Sequence, residues 1–174
     1  MSNSLSQRYP KVLFSAEQIQ QRVADMGRRI SADYQGKTLY VVGVLENAFI
    51  FTADLLRSLD LPVVCQFVRG EFTESGPSTA QIFYSPELDV NGQDVLLVES
   101  LVQSGVTTEF LIRNLTARGA RTVKLAVLLD KQAARRVSLQ PDYFGFLISD
   151  HFVVGYGLGA PHIGRNLPYI AAES

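Results

Sequence analysis

Tryptophan is absent from this chain of 174 residues, and cysteine and histidine are nearly so, with one Cys and two His. A lone Cys65 excludes an intramolecular disulfide, and the run Pro62-Val63-Val64-Cys65 suits a small buried core residue better than a reactive thiol. His151 and His162 stand eleven apart with no cysteine nearby, so the spacing of a His/Cys metal site is missing. An excess of one charge is missing too: 16 Lys+Arg against 17 Asp+Glu leave a formal net charge of −1. Nucleic-acid binding usually needs a basic face or stripe, so no nucleic-acid partner is expected. No apolar run approaches the ~20 residues of a membrane span, and Met1 to Tyr9 is too polar for a signal peptide. A cytoplasmic protein with no membrane contact is the expectation. The glycine-rich nucleotide fingerprints GxxxxGK[ST] and GxGxxG are also absent.

What is present is ordinary for a globular protein: 47% hydrophobic and 19% charged residues, with no repeat and no linker. Residues 1–174 are expected to form one domain, long enough for a substantial core. Strand and helix signals alternate, which predicts an α/β fold. Ser15-Ala16-Glu17-Gln18 is a capping-box pattern, followed by Ile19, Val23, Met26 and Ile30 on one helical face. Leu39 to Leu45 reads as a buried strand. Ala48 to Leu59 reads as an apolar helix stopped by Asp60-Leu61-Pro62. A second strand is expected from Val63 to Val68, and a long mobile loop of lid type from Arg69 to Thr79. Gln81 to Tyr84 is a candidate strand, and Asn91-Gly92 a turn. Gly119 ends a helix, and Val123 to Leu129 and Phe144 to Ile148 read as further strands.

The most informative stretch runs from Val95 to Thr108. Val95 to Val98 reads as a strand, Glu99 opens a polar turn built on Ser104-Gly105, and a helix follows through Phe110, Leu111 and Leu115. Such a turn can aim several backbone N–H groups and the positive end of a helix dipole at one phosphate. An ordinary βα turn uses the same residue types. Ligands in open parallel sheets bind beyond the carboxyl ends of the strands. Three segments lie there: Glu46-Asn47, Glu99 to Thr107, and Asp130-Lys131.

Glu99 to Thr107 resembles the phosphoribosyl-diphosphate (PRPP) loop of type I phosphoribosyltransferases. Flanking segments narrow the resemblance to the hypoxanthine-guanine phosphoribosyltransferase family. They include Lys11-Val12-Leu13-Phe14-Ser15, Val42-Gly43-Val44-Leu45, Ala53-Asp54-Leu55-Leu56 and Leu128-Leu129-Asp130-Lys131. Further matches are Pro141 to Phe146, Phe152-Val153-Val154-Gly155-Tyr156-Gly157-Leu158 and Arg165-Asn166-Leu167-Pro168-Tyr169-Ile170. The resemblance implies a parallel sheet core flanked by helices, with a small hood from the chain ends and the segment around Phe152. It implies purine salvage, in which PRPP and hypoxanthine or guanine give a nucleotide and pyrophosphate, with Mg²⁺ as cofactor. Homodimers or homotetramers are implied as well.

Carried over residue by residue, the resemblance places Phe152 on the purine face, Val153 at the base edge and Lys131 at the exocyclic oxygen. Taken singly, a Phe before Val-Val reads as core and a Lys after a strand as solvated. Ser104, Gly105, Val106 and Thr107 match the 5′-phosphate turn. Glu99 matches the first of two acids near the ribose hydroxyls and the metal, and Arg165 the arginine near pyrophosphate.

The remaining positions depart from the family's pattern. Where it has Glu-Asp-x-x-Asp-[Ser/Thr]-Gly, this chain has Glu99-Ser100-Leu101-Val102-Gln103-Ser104-Gly105. Ser100 replaces the second acid, and Gln103 replaces the aspartate that takes or shares the purine N7 proton. An amide can hold a hydrogen bond but is no base near neutral pH. The family's Leu-Lys-Gly is Leu45-Glu46-Asn47 here, which puts a carboxylate on the pyrophosphate side. Gly159 falls where the family has an aspartate for a second Mg²⁺. The base and 5′-phosphate contacts survive, and the losses fall on pyrophosphate, metal and proton transfer. Two readings follow: a salvage-family protein that binds IMP or GMP with weak or absent turnover, or a purine-nucleotide-binding pseudoenzyme acting as a regulator.

Overall fold

Residues 9–71, 81–85, 88–159 and 163–172 are described by a computed structural model of the chain. In chain order the elements are β1 (Val12–Phe14), α1 (Ala16–Asp33), β2 (Leu39–Leu45), α2 (Phe49–Arg57), β3 (Val63–Glu71) and β4 (Gln81–Tyr84). There follow β5 (Asp94–Val102), α3 (Val106–Ala117), β6 (Thr122–Asp130), a 3₁₀ turn (Gln132–Ala134), β7 (Tyr143–Leu147), β8 (Val153–Val154) and β9 (Ile170–Ala172). Six strands make one sheet in the order β4-β3-β2-β5-β6-β7, parallel except for β4 on the edge. A small antiparallel sheet, β1-β9-β8, joins both chain ends to the Val153 segment as the expected hood.

The central strands are buried on both faces, and their side chains alternate between two cores. Val41, Leu96, Val98 and Leu128 meet Ile19, Val23, Met26 and Ile30 of α1. Val42, Leu97, Leu125 and Val127 meet Leu111 and Leu115 of α3. This is why these strands read as continuous apolar runs rather than alternating ones. The capping box forms as the sequence predicts, with Gln18 N–H donating to Ser15 Oγ and Ser15 N–H to Gln18 Oε1 at 2.8 Å. Gly27 lets α1 and α2 touch, because a Cβ there would lie 2.1 Å from Ser58 Oγ.

Three expectations change. The strand beginning near Val95 does not stop before Glu99; β5 continues to Val102, so Glu99 and Ser100 are strand residues. Lateral pairing with β6 as far as Val102↔Asp130 overrides the local polarity that suggested a turn. Arg69, Gly70 and Glu71 are not loop either: they extend β3, where they pair with β4 from Arg69↔Phe83 to Glu71↔Gln81. The rest of the expected lid loop, residues 72–80, lies outside the described residues. Cys65 is exposed, not a buried core residue. It stands on β3, whose outer neighbour is only the four-residue β4, and Val63 and Val64 beside it are themselves only half-buried. Desolvation still raises its thiol pKa. Among the described residues no helix is long and apolar enough to cross a membrane.

At the amino end of β5, Asp94 is 3% exposed and ties three elements together. Arg121 grips it through Nε at 2.9 Å and Nη2 at 2.5 Å, Thr122 Oγ1 donates at 2.8 Å, and Lys37 Nζ lies 3.6 Å away. The Arg121 hydrogen bonds, helped by Thr122 and Lys37, hold its carboxyl well below the usual carboxylate range despite burial. Such a depressed acid contributes stability above the unfolded carboxylate pKa of about 3.9 and loses it as the pH falls further. Asp94→Asn should therefore cost about 1–2 kcal/mol at pH 7, the difference between charge-assisted and neutral hydrogen bonds. In urea titrations the gap to wild type should close as the pH drops below about 4.

Candidate functional site

The cleft opens where β5 and β6 end side by side. Lys131 N–H donates to Val102 C=O at 3.0 Å, and Arg136 N–H to Ser104 C=O at 2.9 Å, so the turn after β5 is pinned from the β6 side. Gly105 then takes the left-handed conformation, φ +78°, that admits α3 at Val106. It is also hemmed in: a Cβ there would sit 3.0 Å from Arg135 Cδ and from Val137 Cγ2. Val106 N–H donates to Ser104 Oγ at 3.4 Å. The start of α3 borders a cavity of about 360 Å³ lined by Glu99, Ser100, Gln103, Ser104, Gly105 and Thr107, with Leu45 and Asn47 also on its lining. Of the four turn residues expected to hold phosphate, only Val106 is not among the lining residues.

A second cavity, about 230 Å³, adjoins the first. Lys131, Phe152, Val153, Leu158, Gly159 and Arg165 line it, and Asn47, Leu101 and Gln103 line both. Gln103 therefore stands at the seam. Phe152 is 55% exposed, an aromatic face left open at the cavity rather than packed in the core. Lys131 is the opposite case: it is 3% exposed and forms an ion pair with Asp150 at 3.4 Å, instead of being solvated. The structure thus brings together Glu99, Gln103, Ser104, Thr107, Lys131, Phe152, Val153, Arg165 and Asn47, all of them residues picked out in the sequence.

Across the mouth lies an ion-pair bridge. Arg165 Nη1 is 3.1 Å from Glu46 Oε2, and Arg69 Nη1 is 3.7 Å from Glu46 Oε1. Arg165 also donates from Nε to Gly159 C=O at 3.3 Å. Arg69 was hidden by its reading as loop, and no local signal marks it. Gly159 has φ +139°, and a Cβ there would lie 2.9 Å from Ile163 C=O and 3.1 Å from Val154 Cγ2. The backbone at this position is shaped for glycine, so an aspartate could not be returned without strain.

Behind the Ser104-Gly105 turn, Glu99 is buried. Thr108 Oγ1 donates to its Oε2 at 3.0 Å, while its Oε1 has no hydrogen-bond partner. Desolvation pushes its pKa up to about 7, against the opposing pull of Thr108 and Arg135. Thr108 was missed in the sequence, although its spacing to Leu111 and Leu115 places it on the buried face of α3. Arg135, also missed, is ion-paired with the fully buried Asp130. Among the described residues no group of three His, Cys, Asp or Glu could hold a metal ion. Glu99, with one oxygen engaged and both withdrawn from solvent, and Ser100 beside it do not fit a divalent-cation site.

The profile of the family described as "Phosphoribosyl transferase domain" matches residues 13–160. The chain is 36% identical over 163 residues to the hypoxanthine-guanine phosphoribosyltransferase of Bacillus subtilis, covering 92% of this chain and 91% of that one. It is 38% identical over 172 residues to the bifunctional protein TilS/HprT of Listeria innocua, covering 97% of this chain; it spans about a quarter (26%) of that relative's length. Among solved structures, a hypoxanthine phosphoribosyltransferase from Staphylococcus aureus superimposes with a TM-score of 0.93 at 30% identity, covering 100% of this chain and 98% of that one. A further solved structure belongs to a set on an invariant aspartic acid in HPRTs, as its glutamine mutant; it has a TM-score of 0.91 at 32% identity and covers 96% of both chains.

Burial of Glu99 has a measurable consequence. Its raised pKa means that the folded state keeps a proton the unfolded chain releases, so stability falls as the pH rises from about 4.3 towards 7. Glu99→Gln removes that penalty. The variant should be more stable than wild type at pH 8, by on the order of 2–3 kcal/mol, with the advantage vanishing near pH 4 in urea titrations.

Proposed function

Because the chain belongs to the hypoxanthine-guanine phosphoribosyltransferase family, we propose that its joined cavities take a purine nucleoside monophosphate, IMP or GMP, and that PRPP-dependent turnover is weak or absent. The observation that carries this is Gln103 at the seam between the phosphate turn and the Lys131–Phe152 cavity. Base and ribose would join there, and the group present is a carboxamide that cannot accept a proton near neutral pH. The 5′-phosphate is assigned to Ser104, Gly105 and Thr107 with the Val106 amide, and the purine to Lys131, Phe152 and Val153.

The Glu46 bridge supports the same reading. A pyrophosphate group entering here would meet the Glu46 carboxylate, and Arg165 would have to leave it to bind the newcomer. A nucleoside monophosphate has no group to place there. The residues present do not fit a resident Mg²⁺, so any Mg²⁺ dependence is expected to be weak. General acid–base help is worth roughly 10²–10⁴-fold, so its loss leaves room for a slow salvage enzyme. The regulator reading differs in having no turnover at all, and it draws on the same Glu46 bridge.

A steady-state assay with PRPP, Mg²⁺ and each of hypoxanthine, guanine and xanthine tests the proposal. Turnover below about 1 s⁻¹, the low end of the usual enzyme range, is expected, and faster turnover would overturn it. Calorimetry should show IMP binding more tightly than PRPP with Mg²⁺. Ser104→Ala combined with Thr107→Ala should weaken IMP by roughly 1–3 kcal/mol and leave the free base unaffected.

Restoring the family's groups should raise turnover, first with Gln103→Asp and Ser100→Asp together, then with Glu46→Lys and Asn47→Gly. The gains should be strongly non-additive, because such groups act as a unit. Gly159 is best left alone, since its φ suits glycine. A combined variant that binds IMP and yet turns over no faster than wild type would count against the lost groups as the cause.

A further inference from the structure

We infer that the buried Asp130–Arg135 ion pair is a positioning device for anion binding: it holds the loop between β6 and β7 against the Ser104-Gly105 turn and so keeps that turn in the shape that accepts a phosphate group. The inference rests on the reading of that turn as the 5′-phosphate site given above and adds the two residues that hold its shape. Asp130 is the last residue of β6, fully buried, and lies opposite Val102 at the end of β5. Arg135, five residues on, turns its guanidinium back and donates from Nη2 to Asp130 Oδ1. The Arg135 side chain is only 11% exposed. Among the described residues, Asp130 Oδ2 and Arg135 Nη1 are buried with no hydrogen-bond partner, so each charge depends on the other.

The same arginine touches the turn. A Cβ on Gly105 would lie 3.0 Å from Arg135 Cδ, 3.0 Å from Val137 Cγ2 and 3.2 Å from Leu139 Cδ2, so loop side chains press on the turn's backbone. The next residue, Arg136, donates its N–H to Ser104 C=O at 2.9 Å. Little else supports the loop. No residue from 132 to 140 is buried, and only Leu139 of them packs against a hydrophobic core. A cavity of about 260 Å³ is lined by Asp130, Gln132, Arg135 and the four residues from Val137 to Gln140. Backbone hydrogen bonds from Ala134 to Lys131, from Arg135 to Gln132 and from Leu139 to Val137 stay within the segment. A loop with so few buried apolar contacts belongs to the less stable part of a fold, and here the ion pair ties it to the strand end. Coupling of this kind is reciprocal: a loop that shapes the turn for phosphate is itself steadied when phosphate binds.

Removing Arg135 alone would strand a buried carboxylate, so the test replaces both partners, as Asp130→Val with Arg135→Met. That exchange leaves the net charge unchanged, and replacing a buried pair by apolar residues of similar volume is often neutral for stability. In calorimetry, wild type should bind IMP at least about tenfold more tightly than inosine, which lacks the phosphate. The double variant should lose about tenfold in IMP affinity, within the usual range of coupling between sites, and keep its affinity for inosine. Circular dichroism checks that it folds. Hydrogen exchange on the wild-type protein is a second measurement that needs no variant and decides the matter if the double variant does not fold. Saturating IMP should slow exchange of the Arg136 amide about tenfold beyond the slowing seen with saturating inosine. A folded double variant with the wild-type preference for IMP, or Arg136 exchange that responds equally to the two ligands, would overturn the inference and leave the phosphate site in place. Wild type that binds IMP no more tightly than inosine would overturn the reading of the turn itself, and this inference with it.

Discussion

Parallel pairing of β5 with β6 fixes the geometry on which the cleft depends. The register runs from Asp94↔Thr122 at one end to Val102↔Asp130 at the other, and each end is locked by a different device. At the amino end the Asp94–Arg121–Thr122 cluster ties the strands through charged hydrogen bonds. At the carboxyl end backbone hydrogen bonds cross from Lys131 to Val102 and from Arg136 to Ser104. Because the strands are buried on both faces, a one-residue slip would exchange the α1 and α3 cores, so the register is strongly specified. Gln103, Ser104 and Lys131 inherit their relative positions from that register.

Electrostatics then divides the cleft into two unlike halves. The turn from Ser104 to Thr107 is built from amides, hydroxyls and a helix start, with the Glu99 carboxyl buried beside it and its pKa pushed up to about 7 by desolvation. That arrangement welcomes an anion. The mouth is built the other way, around a Glu46 carboxylate held between Arg165 and Arg69. The bridge joins the end of the β2–β3 ladder, where Leu45 lies opposite Arg69, to Arg165 in the segment between β8 and β9 of the other sheet. The burial of Lys131 beside an open Phe152 completes a cavity of about 230 Å³ that has Lys131 and Arg165 on its lining. Related chains of the hypoxanthine-guanine family have this fold at TM-scores of 0.90 and 0.93.

The amino-acid sequence alone determined the alternation of buried strands and amphipathic helices, the Ser15 cap, and the Ser104-Gly105 turn at a helix start. These depend on local patterns: apolar runs, a 3.6-residue period, a glycine where φ must be positive. It also carried enough likeness to a known family to name most residues around the cleft. Tertiary structure decided what local pattern could not. Glu99 and Ser100 became strand because β6 pairs past them, and Arg69 to Glu71 became strand because β4 does the same for β3. Cys65 lost its burial because its strand has little cover on the outer side. Lys131 lost its solvent because the chain returns over it from Asp150 to Val153. The Glu46–Arg165 pair joins residues 119 apart, and the three short hood strands draw on both chain ends. Contacts of that range depend on where distant segments are brought together, and no window of sequence records it.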